Sequence, residues 1–125
     1  MKEIITTKNA PQAIGPYSQA VLVNGTLYSS GQIAIDPQTN LLVLETIEAE
    51  THQVMKNLRA VLEAANMDFS NVVKCTIFLK DMNQYASINE VYKTYFNENP
   101  PAREAVQVSE LPKSVNVEIS AIGVK

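Results

Sequence analysis

Arg103 is the side chain best suited to binding a small anion. It follows Pro100-Pro101-Ala102, and proline restricts the direction in which the chain enters the next segment. A planar guanidinium offers a fork of N–H donors that matches the two oxygens of a carboxylate. The alternative interpretation is a solvated arginine that begins an edge strand.

Glu118 is the second candidate for chemistry. It falls on the polar face of a segment in which apolar and polar residues alternate, and a solvated strand residue is the alternative interpretation. If its strand pairs with the strand that carries Arg103, the two side chains share one face. They then form either a plain salt bridge or a site that holds an anion and a water molecule together.

Two turns add candidate binding groups. Ser29-Ser30-Gly31-Gln32 ends a β-type run, and a turn of this kind can direct backbone N–H groups at an anion. Gly15-Pro16-Tyr17 places a tyrosine on a rigid turn. The alternatives are a plain turn in the first case and a half-buried packing ring in the second.

The remaining reactive side chains predict no other chemistry. Cys75 is the only cysteine and lies in an apolar run, which favours a small core residue. His52 is the only histidine, and we expect it at the surface, without a catalytic partner. No Cys/His spacing typical of zinc and no glycine-rich phosphate motif is present, so no metal site is expected.

Composition restricts the class of protein. The chain has 125 residues, of which 46% are hydrophobic and 18% are charged, which predicts one globular domain over residues 1–125. Ten Lys and Arg residues against 13 Asp and Glu residues give a net charge of −3, which disfavours a nucleic-acid binder. Without a bilayer-spanning apolar run or a secretory signal, we expect a cytoplasmic protein that does not bind membranes.

Local patterns predict the elements that must position these residues, in the order βββαβαββ. Ala20–Val23 and Thr26–Ser29 flank Asn24-Gly25, a dipeptide that favours the type I′ turn of a β-hairpin. Apolar residues at helical spacing over residues 47–65 and 85–95 predict two helices.

Strands are predicted before, between and after these helices. A short β-type run at residues 4–7 is the first of them. Val72–Leu79 is rich in β-branched residues and nearly continuous in its apolar character, as in a buried strand. Alternation over residues 103–108 and 115–121 predicts the last two.

The sequence therefore predicts an α+β fold with one mixed six-stranded sheet. Because each helix connects two strands, some strand pairs must be parallel, with right-handed crossovers. We expect both helices on one face of the sheet. The opposite face is expected to carry apolar residues together with Arg103 and Glu118, and to be where subunits meet.

An ordered set of segments, spread over almost the whole chain, resembles the Rid family of reactive intermediate deaminases, also called the YjgF family, and its RidA branch in particular. The segments are Asn9-Ala10-Pro11, Ala13-Ile14-Gly15-Pro16-Tyr17-Ser18-Gln19, Tyr28-Ser29-Ser30-Gly31-Gln32-Ile33, Asn89-Glu90-Val91-Tyr92, Pro101-Ala102-Arg103, and Leu111-Pro112-Lys113 followed by Val117-Glu118-Ile119.

The resemblance implies a chorismate-mutase-like subunit and a homotrimer with clefts between neighbouring subunits. The implied activity is hydrolysis of 2-imino acids, such as 2-iminobutanoate and 2-iminopropanoate, to 2-oxo acids and ammonia. Pyridoxal-phosphate dehydratases acting on threonine or serine generate these imines. The implied partner is therefore a small 2-imino or 2-oxo acid, and no cofactor is expected.

The resemblance also implies roles for individual residues. Arg103 matches the family arginine that binds the substrate carboxylate, and Glu118 matches the glutamate near the imine nitrogen and the attacking water. Positions that line the family cleft are matched by Tyr17, Ser30, Gly31 and Asn89.

Two positions depart from the family pattern. Ala105 stands where many members have a cysteine in the substrate-binding cleft, so no thiol chemistry is assigned there. Glu104 stands where a small hydroxyl residue is common. Its charge would weaken anion binding, but strand alternation points it away from Arg103.

Two other functions remain open at this stage. The arginine cleft also suits a non-catalytic regulatory protein that binds a small carboxylate. Chaperone or ribonuclease activity is ascribed to some relatives, but the net charge and the single histidine give the ribonuclease no support.

Overall fold

Alternating strands and two amphipathic helices account for the architecture. The computed structural model describes all residues, 1–125, and has the predicted element order. The elements are β1 (Glu3–Ile5), β2 (Ala20–Val23), β3 (Thr26–Ser29), α1 (Ile47–Ala64), β4 (Val72–Leu79), α2 (Tyr85–Tyr92), β5 (Ala102–Gln107) and β6 (Val117–Val124).

The six strands form one mixed sheet in the order β1-β2-β3-β6-β4-β5. The β4–β5 pair is parallel and the other pairs are antiparallel. The parallel pair is connected by α2, as the crossover argument requires. In the β2–β3 hairpin, Asn24 and Gly25 have positive φ angles of 50° and 78°, which agrees with the predicted turn.

Both helices cover one face of the sheet, as predicted. Along β4, Cys75, Ile77 and Leu79 are buried, while the residues between them are only partly buried. The buried set packs with apolar residues of both helices in one hydrophobic cluster. Neither helix combines the length and the apolar character that crossing a membrane demands.

Arg103 and Glu118 do not share a face, and this prediction was wrong. It assumed that β5 and β6 are neighbours, but β4 lies between them. Arg103 is registered with Cys75, whereas Glu118 is registered with Phe78. Because positions 75 and 78 have opposite parity in β4, Arg103 points to the helix side and Glu118 points to the helix-free side.

A buried carboxylate fixes the start of β6 and so the strand that carries Glu118. Glu50, in the first turn of α1, is completely buried. Its Oε2 accepts hydrogen bonds from the backbone N–H groups of Asn116 (2.8 Å) and Val117 (3.3 Å). Its Oε1 accepts one from Asn116 Nδ2 at 2.7 Å. These bonds satisfy a charge that would otherwise be costly to bury.

We predict that Glu50→Ala lowers the free energy of unfolding by about 3 kcal/mol, because buried donors lose their acceptor. Glu50→Gln keeps a carbonyl oxygen, and the amide of Asn116 can rotate to meet the new donor, so its cost should be about 1 kcal/mol. Urea denaturation at a fixed protein concentration measures both. Equal losses in the two variants would contradict this role for the hydrogen bonds.

Candidate functional site

The guanidinium of Arg103 is held against one face of α2. Its Nη1 donates to Asn89 Oδ1 at 2.6 Å, and its Nη2 donates to the hydroxyl of Tyr85. Its Cζ lies 5.0 Å from the ring centroid of Tyr92 and 5.5 Å from that of Tyr85. The three helix residues are spaced i, i+4 and i+7, so they share the helix face that meets β5.

No carboxylate neutralises Arg103. The three salt bridges of the chain join lysines to glutamates elsewhere. A cavity of about 430 Å³ lies beside the guanidinium, and its lining includes Asn89, Tyr92 and Arg103; we call it the arginine pocket. A partly buried cation with only neutral partners can bind an anion.

A second cavity contains the other predicted residues. Its volume is about 540 Å³, and its lining includes Tyr17, Ser30, Gly31 and Glu118; we call it the glutamate pocket. Tyr17 is exposed at this cavity, directly after the turn in which Gly15 has a φ of +126°. The loop before β2 and the turn after β3 therefore bring together groups that are distant in sequence.

Gly31 is needed for space rather than for an unusual backbone conformation. Its φ angle is outside the left-handed region. A Cβ atom at this position would collide with Glu118, since it would lie 2.7 Å from Cδ and still closer to Oε2. The glycine thus lets the carboxylate of Glu118 lie directly against the backbone of the turn.

The same turn leaves one backbone donor free. The N–H of Ser30 donates to Gln19 O at 2.9 Å, and the N–H of Gln32 donates to Ile119 O at 2.8 Å. The N–H of Gly31 has no acceptor within the chain. Of the backbone N–H groups at residues 30–32, only that of Gly31 is therefore available to donate to an anion.

Burial raises the pKa of Glu118 above its ordinary value of 4.5. No salt bridge includes this carboxylate, so no cation offsets the loss of hydration. A carboxyl group with a raised pKa in a cavity can both accept and return a proton at moderate pH.

Ala105 and Glu104 lie on opposite faces of β5. Ala105 shares the helix-side face with Arg103 and is registered with Ile77. Glu104 points the other way and pairs with Lys74 at 3.0 Å. The expectation that Glu104 points away from Arg103 is therefore confirmed.

The two other reactive side chains lie outside both pockets. Cys75 is buried, as predicted for a core residue. His52 is partly buried, and its Nδ1 lies 2.8 Å from the hydroxyl of Tyr95, so this histidine is less exposed than predicted. No group of His, Cys, Asp or Glu side chains is arranged to hold a metal ion.

Tyr85 and Tyr92 are the site residues that the sequence analysis missed. Their spacing assigned them to the apolar stripe of a helix, and Tyr92 is indeed buried. Their position on the same helix face as Asn89 was the available signal, because that face also carries a polar residue. That signal could be interpreted only once Arg103 of β5 was known to contact this face of α2.

One chain thus places the candidate residues in two separate pockets. Asn89 and Arg103 lie in the arginine pocket, on the helix side of the sheet. Tyr17, Ser30, Gly31 and Glu118 lie in the glutamate pocket, where Glu118 points away from the helices.

Comparisons with known proteins give one consistent family. The family described as Endoribonuclease L-PSP matches residues 7–125. A RutC family protein of Pyrococcus horikoshii is 53% identical over the whole chain and 99% of its own length. The 2-iminobutanoate/2-iminopropanoate deaminase of Rattus norvegicus is 51% identical over the whole chain and 91% of its own length.

Solved structures agree with this assignment. The Rid family protein YyfA of Yersinia pestis, described as of unknown function, superposes with a TM-score of 0.97 at 49% identity, and the match covers 100% of both chains. Escherichia coli TdcF, crystallised with bound serine, superposes with a TM-score of 0.95 at 40% identity over 98% of both chains.

We predict that Gly31→Ala displaces the carboxylate of Glu118 towards solvent and lowers its pKa towards 4.5. A carbon-13 NMR titration of the Glu118 carboxyl group measures the shift. Gly123→Ala is the matched control, because its Cβ would meet Met67 Sδ at 3.0 Å, at the far end of β6. An unchanged titration of Glu118 in Gly31→Ala would contradict the packing argument.

Proposed function

Because the chain belongs to the Rid family, which is also described as Endoribonuclease L-PSP, we propose that it hydrolyses 2-imino acids such as 2-iminobutanoate and 2-iminopropanoate to 2-oxo acids and ammonia. Mammalian relatives about 50% identical to it carry the name of this deaminase. The observation that carries the proposal is the unneutralised guanidinium of Arg103, which suits the carboxylate of such a substrate.

Arg103 binds the substrate by its carboxylate. Its bonds to Asn89 and Tyr85 use only part of its N–H donors. The remaining N–H groups are available for a charge-assisted, bidentate interaction with a carboxylate. E. coli TdcF was crystallised with serine, which has a carboxylate and a nitrogen on adjacent carbons, as a 2-imino acid does.

Glu118 moves protons during the hydrolysis. It accepts a proton from the attacking water as the oxygen bonds to the carbon of the protonated C=N group, giving a neutral carbinolamine. It returns this proton to the nitrogen, and as the C–N bond breaks it accepts the proton of the carbinol hydroxyl, so that the C=O bond of the 2-oxo acid forms. The departing ammonia takes up that last proton and leaves as ammonium. A raised pKa suits a group that must do both in one cycle. Fixing the substrate beside the water lowers the entropic cost of the addition.

We propose that the complete cleft forms between subunits of a homotrimer. Within one chain, the carboxylate-binding group and the proton-transfer group lie in separate pockets on opposite sides of the sheet. The helix-free face also carries uncovered apolar side chains among its polar ones, because Tyr28, Phe78, Val106 and Ile122 project from it. An uncovered apolar sheet face favours association.

The proposed substrates arise from dehydratases that act on threonine and serine. We propose that the protein works in the cytoplasm beside those enzymes, where it removes a reactive product. The proposed reaction needs no cofactor, since a protonated imine is already an electrophile.

A mixing experiment tests whether the cleft is shared. Arg103→Ala and Glu118→Gln each remove one half of a site, and we predict that each homotrimer loses most imine hydrolysis. Trimers co-assembled at equal amounts should recover about one quarter of the activity, because one cleft in four pairs an intact Arg103 with a neighbour's intact Glu118. Ammonia release with a threonine dehydratase as the imine source measures this.

The controls for mixing are the two single variants combined after separate assembly, which should remain inactive. No recovery in co-assembled trimers, with the expected subunit ratio confirmed by mass spectrometry, would place both groups in one chain's site and overturn the shared cleft.

A second function is a non-catalytic regulatory protein that binds a small carboxylate. Arg103 favours it, because the arginine pocket forms within one chain and does not include Glu118. Histidine-based RNA cleavage is not supported, since the only histidine bonds to Tyr95 and lines neither pocket.

Two variants separate the enzyme from the regulatory protein. We predict that Arg103→Ala lowers both pyruvate affinity and imine hydrolysis, each by about 100-fold or more. We predict that Glu118→Gln lowers kcat by about 100-fold and changes pyruvate affinity by less than about threefold. Calorimetry and the dehydratase-coupled assay measure these effects.

Glu104→Ala is the matched control for charge at this strand. It removes a charge next to Arg103 in sequence but on the opposite face, so both readouts should stay near the wild-type values. Wild-type turnover in Glu118→Gln, together with intact pyruvate binding, would favour the regulatory function.

A further inference from the structure

Tyr85 stands out among the residues that contact Arg103 because nothing in the proposed chemistry uses it. It begins α2, and its ring lies 5.5 Å from the Cζ of Arg103. Its hydroxyl accepts a hydrogen bond from Nη2 of Arg103. That bond is the only one that the Tyr85 side chain makes in the chain.

The orientation of the guanidinium depends on having two anchors. Asn89 holds Nη1 and Tyr85 holds Nη2. With both bonds, neither terminal nitrogen can rotate without breaking a hydrogen bond. If only the bond to Asn89 were present, the Nη2 end of the guanidinium would have no hydrogen bond to hold it, and only the rings of Tyr85 and Tyr92 would restrict its movement. A fixed fork loses less entropy when it binds a planar carboxylate.

We propose that Tyr85 is a positioning residue that acts through Arg103: its hydroxyl fixes the guanidinium so that the free N–H groups are presented to a carboxylate. This inference rests on the proposed binding of 2-imino and 2-oxo acids at Arg103. Tyr85 therefore contributes to affinity for the carboxylate and not to the proton transfers, because its side chain makes its one hydrogen bond with Arg103.

The sharpest test removes the hydroxyl and keeps the ring. In Tyr85→Phe, we expect the Kd for pyruvate to rise by about three- to tenfold, which is the range for one ordinary hydrogen bond, because Tyr85 acts on the ligand only through Arg103. KM for the imine should rise by a similar factor, while kcat changes by less than about twofold, because the carboxylate contact is the same in the ground and transition states.

Tyr95→Phe is the matched control. It also removes one tyrosine hydroxyl, from the short segment that follows α2, but that hydroxyl pairs with His52 and not with Arg103. The Kd for pyruvate should therefore match that of the wild type. A rise in both variants would indicate a general loss of packing and overturn the specific role of Tyr85.

A spectroscopic readout tests the inference independently of turnover. Nitrogen-15 NMR of arginine side chains reports rotation about the Cζ–Nη bonds, and we expect slow rotation at Arg103 in the wild type and faster rotation in Tyr85→Phe. Equal rotation and equal pyruvate Kd in the two proteins would overturn the inference and leave the proposed function intact. If rotation is slow in the wild type and fast in Tyr85→Phe but the wild type does not hydrolyse imines, the proposed function is overturned and the role of Tyr85 in holding Arg103 stands.

Discussion

The structure depends on a positive charge that is held in place without being neutralised. Arg103 is partly buried, and its partners are an amide oxygen, a hydroxyl and two aromatic faces. Such partners compensate part of the lost hydration of a guanidinium, but they carry no net charge. An aspartate or glutamate in the same place would stabilise the arginine more and would occupy the position of an anionic ligand.

Glu118 is the counterpart with the opposite charge. Its carboxylate lies against Gly31, its burial raises its pKa, and no cation pairs with it. The proposed substrate has complementary charges, since a protonated 2-imino acid carries a carboxylate beside a cationic nitrogen. A cleft between subunits that joins the two pockets would let one small molecule satisfy both groups. Leaving the two charges unpaired destabilises the free protein, and binding of the substrate would offset that loss of stability.

Much of the fold could be predicted because its signals are local. The bounds of Val72–Leu79 and of the β2–β3 hairpin follow from β-branched runs and from the Asn24-Gly25 turn, which depend on neighbouring residues alone. The order of the strands could not be predicted in the same way. β6 lies between β3 and β4, and the residues of β6 itself do not indicate which strands flank it. Packing of the whole chain decides that.

The candidate site shows why this distinction matters for function. Alternation correctly separates Arg103 from Glu104, since parity within a strand is a local property. Whether Arg103 and Glu118 lie on the same face of the sheet is not a local property. It depends on how β4 is registered with β5 on one side and with β6 on the other, and an error of one residue in either register moves a side chain to the opposite face. Gly31 gives the same lesson, since its backbone is ordinary and only the carboxylate of a distant strand explains the missing side chain. Residue types therefore indicate which chemistry is available, whereas long-range register decides which groups one chain can bring together.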